Sequence, residues 1–561
     1  MNYLELIRLL TPVIVLCTGA TICLLLGAGK GSARKWAPHT ALLTLAISIV
    51  MSCAIYYNWR VGPQLAWSED LSLHLNAFAF YTGLIGQIVG MLLILIGWNP
   101  DAWGGIADDE EPISVTGEFF SMTLFSISGL VLLTLANNLI VLFLALELVS
   151  IPTYIMVVLS RQHNQAREAG LKYFFLGAMA AAITVYGFSL LYGLSGTIII
   201  TAPDGAAVTT LMDSISPASN LFYLLAFLII LAGLCFKMAA VPLHFYVADV
   251  YQGAASTVTA LLAFVPKLAG FFALMILLQV LGHPLWLDIA PEAGPHLGNL
   301  TGWVLWILAA GTMTVGNVLA GYEALQGING NIKRILAYSS VAHTGYMLLA
   351  LLEGTRTADP TLGMTAILFY IAVYAVATLG SFGVIALLER QGDEAQSLGD
   401  LRGLAKAHPG LAAALAICLF SLIGMPLTAG FIGKFYVFSA LVTDAAIPHR
   451  IGLLVVALIN AAIAAYYYLR IIAACYLDEG QLQVNLRSPQ IRPQLSGIAL
   501  AGALTIILGI APSILLDPIK NNTAPADAIM VQQEIVDTPS AEDPAPVTTA
   551  SQAHLRTDTT N

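Results

Sequence analysis

Five ionisable side chains stand near the middles of strongly apolar runs, and their types define what chemistry this chain could do. Glu147 lies in NNLIVLFLALELVSIPTYIMVVL, His343 in ILAYSSVAHTGYMLLALL and Lys434 in FSLIGMPLTAGFIGKFYVFSALV. Lys237 and Lys267 share the stretch LAGLCFKMAAVPLHFYVADVYQGAASTVTALLAFVPKLAGF, residues 231–271. Carboxylate, amine and imidazole groups exchange protons, and they need no cofactor to do so. A cation at bilayer depth costs ~2.5–3.5 kcal/mol on insertion scales, so it is kept where it has a partner and usually a task. A glutamate and a lysine ~4 Å apart attract by about 4 kcal/mol at an effective dielectric near 20. Separating such a pair releases that coupling, which is the logic of a proton switch.

Each residue also has a plainer reading. Lys434 could snorkel to an interface, with Gly430 and Gly433 serving only close packing. The same reading is harder for Lys237 and Lys267, whose spans leave several apolar turns on both sides. His343 could be hydrogen-bonded packing beside Ser339 and Ser340. His244 and Asp249 could cap and solvate a re-entrant turn, and Glu147 could be a fixed counter-ion for a lysine.

The elements that hold these residues must cross a membrane. Of 561 residues, 58% are hydrophobic and only 10% charged, against roughly 25% charged in soluble domains. Apolar runs of spanning length begin near Leu9, Ala41, Asn76, Phe119, Leu139, Leu171, Leu221, Ser256, Gly302, Ile332, Gly363, Leu411, Ile451 and Leu495. At ~20 residues per crossing, they predict an all-α polytopic membrane protein of about fourteen transmembrane helices. The first run is followed by Lys30, Arg34 and Lys35 rather than by a cleavage site, so it reads as a retained helix.

Pro242 breaks the helix carrying Lys237, because proline lacks a backbone donor and clashes with the preceding turn. Pro426, Gly430 and Gly433 interrupt the run that carries Lys434. Broken helices survive at membrane depth only inside protein or along a wet cavity. Two of them, each with a lysine, point to two inverted repeats. The resulting division is 1–118 for N-terminal helices, 119–281 for the first repeat, 282–477 for the second, 478–519 for a last helix and 520–561 for a tail. The tail is rich in Pro, Ala, Thr and acid, a composition that stays disordered.

With the N-terminus outward, the inner loops collect Lys30/Arg34/Lys35, Arg161/Arg167/Lys172, Lys333/Arg334, Arg390/Arg402/Lys406 and Arg487/Arg492. The outer loops hold little beyond Arg60, Arg356 and Arg450. This alternation is the positive-inside pattern and puts both termini outside the cytoplasm. The formal charge of −10 comes largely from the tail and from Asp108–Glu111. It leaves no nucleic-acid footprint. Six cysteines without close paired spacings read as small hydrophobes, so any redox centre belongs to another chain.

The segments that carry these residues resemble a known family. They are Glu147-Leu-Val-Ser-Ile-Pro152, Glu168-Ala-Gly-Leu-Lys172-Tyr173, Phe236-Lys237 through Val241-Pro242-Leu-His244 and Asp249-Val-Tyr-Gln-Gly253-Ala254. To these are added Lys333-Arg334-Ile-Leu-Ala-Tyr-Ser-Ser340, Ala342-His343-Thr-Gly345-Tyr346, Gly430-Phe-Ile-Gly-Lys434-Phe-Tyr436 and Tyr466-Tyr-Tyr-Leu-Arg470. Together, in order and over nearly all spans, they resemble the N subunit of bacterial proton-pumping NADH:quinone oxidoreductase, respiratory complex I, a relative of mitochondrial subunit 2. The resemblance excludes the tail.

It implies an antiporter-like subunit of the bacterial inner membrane that couples quinone reduction elsewhere to proton transfer. Glu147 and Lys237 match the family's coupled acid and base of a first half-channel, Lys267 the bridging lysine and Lys434 the lysine of a second half-channel. His244 and His343 join that proton pathway. The implied partners are other membrane-arm subunits and the lipid bilayer. Quinone, NADH, FMN and iron–sulfur clusters are expected on partner subunits and no cofactor on this chain.

Three departures concern geometry. Ala248 and Ala255 replace two prolines of the family's Pro-Asp-Val-Tyr-Gln-Gly-Ala-Pro, Pro266 directly precedes Lys267, and the segment between Gly316-Asn317 and Lys333 is several residues longer than usual. Pro266 is expected to disturb its helix and to leave a carbonyl, or a held water, for Lys267. A subunit of a multi-component sodium/proton antiporter shares the fold and the buried lysines, and a purely structural membrane-arm subunit is the third class. The family wording around Lys434 and Arg470 favours the first.

Overall fold

Without water to bond its N–H and C=O groups, a chain in hydrocarbon must satisfy them within its own helices. A computed structural model describes residues 3–29, 31–61, 67–68, 70–98, 116–160, 164–203, 208–214, 220–278, 297–354, 360–389, 396–442, 448–478, 480 and 491–523. Thirteen helices among these are long and apolar enough to cross a membrane. In chain order the helices are α1 (Tyr3–Ala28), α2 (Ala37–Val61), α3 (Ala77–Ile96), α4 (Thr116–Leu135), α5 (Leu139–Leu159) and α6 (Asn164–Ser195). Then come α7 (Asn220–Met238), α8 (Val247–Gly253), α9 (Ser256–Leu277), α10 (Leu297–Leu325), α11 (Ile332–Gly354) and α12 (Pro360–Leu388). The last are α13 (Pro409–Ile423), α14 (Ala429–Val442), α15 (Pro448–Tyr476), α16 (Arg492–Ile510) and α17 (Ser513–Thr523).

The expected run near Leu411 is the exception to continuous crossing, because it is built as the two short helices α13 and α14. The remaining expected runs each correspond to one long helix. Residues up to Asn522 belong to one compact unit. The tail beyond residue 523, the acidic loop Asp108–Glu111 and the loop cations Lys30, Arg161, Arg356, Arg390 and Arg487 lie outside the described residues.

Apolar content all round a helix calls for burial on all sides, and α9, α11 and α12 are buried along nearly their whole lengths while α2 and α15 are largely exposed. Lys267 and His343 are thereby placed in the centre of the bundle.

Both breaks have local causes. Helix α7 stops at Met238, and Pro242 four residues on could not continue it, because in a helix its ring would clash with the Met238 carbonyl. Ala239 takes φ +60°, and the Phe236 carbonyl accepts both the Ala239 N–H at 3.0 Å and the Tyr246 hydroxyl at 2.7 Å. The short α8 then leads into α9. In the second break, Gly424 at φ +89° ends α13, a conformation glycine adopts without a Cβ penalty. Gly430 lets α14 approach α13 so closely that an added Cβ would overlap the Ser421 carbonyl oxygen.

Three expectations are corrected. Helix α6 begins at Asn164 rather than near Leu171, so Lys172 is a helical residue: the polar stretch from Asn164 has good helix formers in Gln165, Ala166, Arg167 and Glu168. Lys333 is fully buried inside α11 rather than in a loop. Pro266 does not interrupt α9, which runs unbroken from Ser256 to Leu277. One missing donor there is offset by protein on every side, since all residues from Ser256 to Met275 are buried.

Replacing Gly430 by Ala should push α14 off α13 and destabilise the chain by about 1–3 kcal/mol. A lowered thermal midpoint of the detergent-extracted protein would register it, and an unchanged midpoint would contradict the close contact.

Candidate functional site

Lys237 is in the last turn of α7, where a cation complements the carbonyl end of the helix. Its Nζ donates to Glu147 Oε1 at 2.9 Å, to Ser150 Oγ at 2.6 Å and to the Leu146 carbonyl at 3.3 Å. The three acceptors sit on α5 within about one turn of each other, so helical spacing alone gathers them. The lysine is buried and Glu147 is only partly so, at 18% side-chain exposure.

Lys267 has a different surrounding. Its Nζ donates to the carbonyl and, at 3.0 Å, to the hydroxyl of Ser340, and to Thr344 Oγ1 at 3.0 Å. It also stands 5.5 Å from the Tyr374 ring centroid, within cation–π range. Its partners therefore come from α11 and not from the carbonyl that Pro266 frees. Among the described residues, no carboxylate pairs with it. The Thr344 hydroxyl in turn donates to the Met238 carbonyl at 2.7 Å. This links Lys267 to the residue next to Lys237 through one side chain.

On the other side of Lys267 lies an aromatic cluster. His343 shares hydrogen bonds with Tyr370 at 2.8 Å through Nδ1 and with Tyr468 at 3.1 Å through Nε2. Tyr468 also bonds Ser339. The His343 ring is 5.0 Å from Tyr374, the ring beneath Lys267, and 5.8 Å from Tyr346. Lys434 Nζ lies 4.9 Å from that same Tyr346 ring and donates to the Leu422 and Ile423 carbonyls at 3.0 and 2.8 Å. These carbonyls are free because α13 ends there. His343 thus sits between the ring surfaces that face the two lysines.

His244 is not brought into this set. Its carbonyl accepts Val247 N–H at 3.0 Å, and its Nδ1 is buried with no hydrogen-bond partner among the described residues. Asp249 holds the re-entrant segment to its neighbours, through Lys172 at 3.0 Å and Arg334 at 3.0 Å. Lys172 also meets Glu168 at 2.8 Å, and Arg334 meets Glu323 at 3.6 Å. Burial pushes the Asp249 carboxyl up, but the bonds from Lys172 and Arg334 outweigh it and hold it below its ordinary value.

Sequence reasoning missed the buried ion pair Lys333–Glu389, 2.6 Å apart with side chains 0% and 2% exposed. One signal was available: Lys333, Ser340 and Thr344 stand at i, i+7 and i+11, one face of a helix. It also missed Ser150, Thr344 and the tyrosines around His343, because hydroxyl groups in apolar runs carry no spacing rule. Among the described residues, no three His, Cys, Asp or Glu side chains converge as a metal site.

This fold, with two broken helices and lysines beside them, defines a class of membrane subunit. Residues 136–463 match the family model "NADH:quinone oxidoreductase/Mrp antiporter, TM". The chain is 38% identical over 402 residues to NADH-quinone oxidoreductase subunit N of Trichlorobacter lovleyi, covering 71% of this chain and 75% of that protein. A chain of respiratory complex I from Thermus thermophilus matches with a TM-score of 0.65 and 27% identity, over 90% of this chain and 98% of that one. A chain of the Mrp complex from Dietzia sp. matches with a TM-score of 0.73 at 18% identity, over 94% and 99%, and so shares the fold. The chain belongs to the NADH-quinone oxidoreductase subunit N family.

The Glu147–Lys237 contact predicts non-additive substitutions. Glu147→Gln and Lys237→Met should each lower proton pumping by the assembled complex, and the double variant should cost less than both losses combined, by ~0.5–3 kcal/mol of coupling. Pumping measured in reconstituted vesicles checks this, and strict additivity would remove the pairing.

Proposed function

We propose that this chain is a proton-translocating membrane subunit of an NADH:quinone oxidoreductase, in which quinone reduction on other subunits drives proton transfer through buried side chains. One observation carries the reading: the buried string Glu147–Lys237, Met238 carbonyl, Thr344 and Lys267, continued by His343 and Lys434 across a tyrosine cluster. In this account, Glu147 and Lys237 form the coupled pair of the first half-channel and Lys434 serves the second. Lys267 passes protons between them, and His343 orders the tyrosines that separate it from Lys434. His244 stands in the broken segment beside this string, and its place in the proton pathway is part of the same proposal.

The organisation that goes with this reading is two inverted repeats, 119–281 and 282–477, in a bacterial inner membrane with both termini outside the cytoplasm. NADH, FMN, iron–sulfur clusters and quinone belong to partner subunits of the complex, including those of its membrane arm. A second reading, a subunit of a multi-component sodium/proton antiporter, is supported by the family model over residues 136–463, whose description names both groups. Co-purification separates them: iron–sulfur partners support the first and small antiporter subunits the second.

The functional test is Lys267→Arg. Arginine keeps a cation at the site but stays protonated, so the assembled variant should transfer electrons and pump protons at least several-fold more slowly. Normal rates of both would make Lys267 a structural charge.

A further inference from the structure

The ion pair Lys333–Glu389 resembles the construction of Glu147–Lys237. In each, a buried ammonium meets one carboxylate and also donates to a backbone carbonyl. For Lys333 that carbonyl belongs to Ala254, at 2.8 Å. Each also has a serine hydroxyl, which accepts from the lysine at Ser150 and donates to the carboxylate at Ser256. Ser256 donates to Glu389 Oε1 at 2.7 Å, and its backbone N–H, the first of α9, donates to Oε2 at 3.1 Å. Replacing such a pair by packed neutral groups is often neutral or favourable for stability, so its retention is weak evidence for a purely stabilising role.

Position sets the pair between a surface cleft and Lys267. On α9, Ser256, Ala260, Ala263 and Lys267 follow one helical face. On α11, Lys333, Ala337, Ser340 and Thr344 do the same. The two polar sites therefore lie at the two ends of one seam lined by alanines, about eleven residues or ~16 Å apart along each helix. Tyr251 of α8 enters this seam, its hydroxyl 3.5 Å from Ser340 Oγ, the same oxygen that accepts from Lys267. Outward, Ala254 follows directly on Gly253, which lines a surface cleft of about 160 Å³ together with Lys172, Asp249, Gln252 and Glu168.

We propose that Lys333 and Glu389 form a proton-uptake station that takes protons from this cleft and delivers them to Lys267 by way of Tyr251 and Ser340. This rests on the reading of the chain as a proton translocator and adds a point of entry to it. A proton arriving from the cleft is accepted by the Glu389 carboxylate. With its counter-ion neutralised, the Lys333 ammonium gives one proton inward along water in the seam, to the Tyr251 and Ser340 hydroxyls and on to a neutral Lys267. The Lys333 amine then takes the proton from Glu389, and the ion pair is restored. One proton moves and no electron does.

The test uses the assembled complex in vesicles, with electron transfer, proton pumping and amount of assembled complex measured for three variants. The double variant Lys333→Met/Glu389→Gln removes both charges of the pair together, and Tyr251→Phe removes one hydroxyl. Glu147→Gln reports on the translocation reading itself. The expected result is that the double variant assembles and pumps at least fivefold more slowly, with Tyr251→Phe also reduced. If the double variant assembles and pumps within twofold of the unaltered complex while Glu147→Gln is impaired, the uptake station is overturned and the translocation reading stands. Normal pumping by Glu147→Gln as well would remove both. If the double variant does not assemble, Tyr251→Phe decides alone: reduced pumping supports the route and normal pumping overturns it.

Discussion

A cation taken out of water must be given other oxygens to bond, or it will not stay. In this protein, that requirement shapes the core. Lys237 finds a carboxylate, a serine and a carbonyl on α5. Lys267 finds two hydroxyls and a carbonyl on α11. Lys434 turns back to the carbonyls left free where α13 stops. The second broken helix thus supplies the Leu422 and Ile423 carbonyls that solvate Lys434, while in the first the Met238 carbonyl accepts Thr344, a partner of Lys267. Irregular backbone and buried cations stabilise one another, and neither would be tolerated in lipid alone.

The three lysines are not equivalent. Lys237 has an anionic partner, and its charge is neutralised on the spot. Lys267 and Lys434 are held by neutral oxygens and faced by aromatic rings, an environment that solvates an ammonium less completely than a carboxylate does. The pair and Lys267 are joined through the Met238 carbonyl and the Thr344 hydroxyl. Since Thr344 both accepts from Lys267 and donates to the Met238 carbonyl, small movements at the break are felt at the centre.

Much of this was legible in the sequence where a charge interrupts an apolar run. Lys237, Lys267, Lys434, Glu147 and His343 stand out against their neighbours, and Pro242, Pro426, Gly430 and Gly433 mark the breaks through their backbone chemistry. What could not be read was which oxygens meet which cation. Serine, threonine and tyrosine are frequent in membrane helices, and only packing selects Ser150, Thr344 and Tyr374 from among them. Lys333 was misplaced because it stands beside Arg334 and Asn331 at a helix start, where a basic doublet normally signals a loop. Pro266 misled in the other direction, since full burial of α9 offsets the single donor it removes.

The central claim is that a lysine held by neutral oxygens gains and loses its proton during turnover. Infrared difference spectra of the assembled complex, with side-chain nitrogen isotopically labelled in lysine, test it most directly when recorded before and during quinone reduction. The account predicts isotope-sensitive ammonium bands that change on turnover and disappear in Lys267→Gln. Turnover spectra without any such band, or with bands that persist unaltered in that variant, would contradict it.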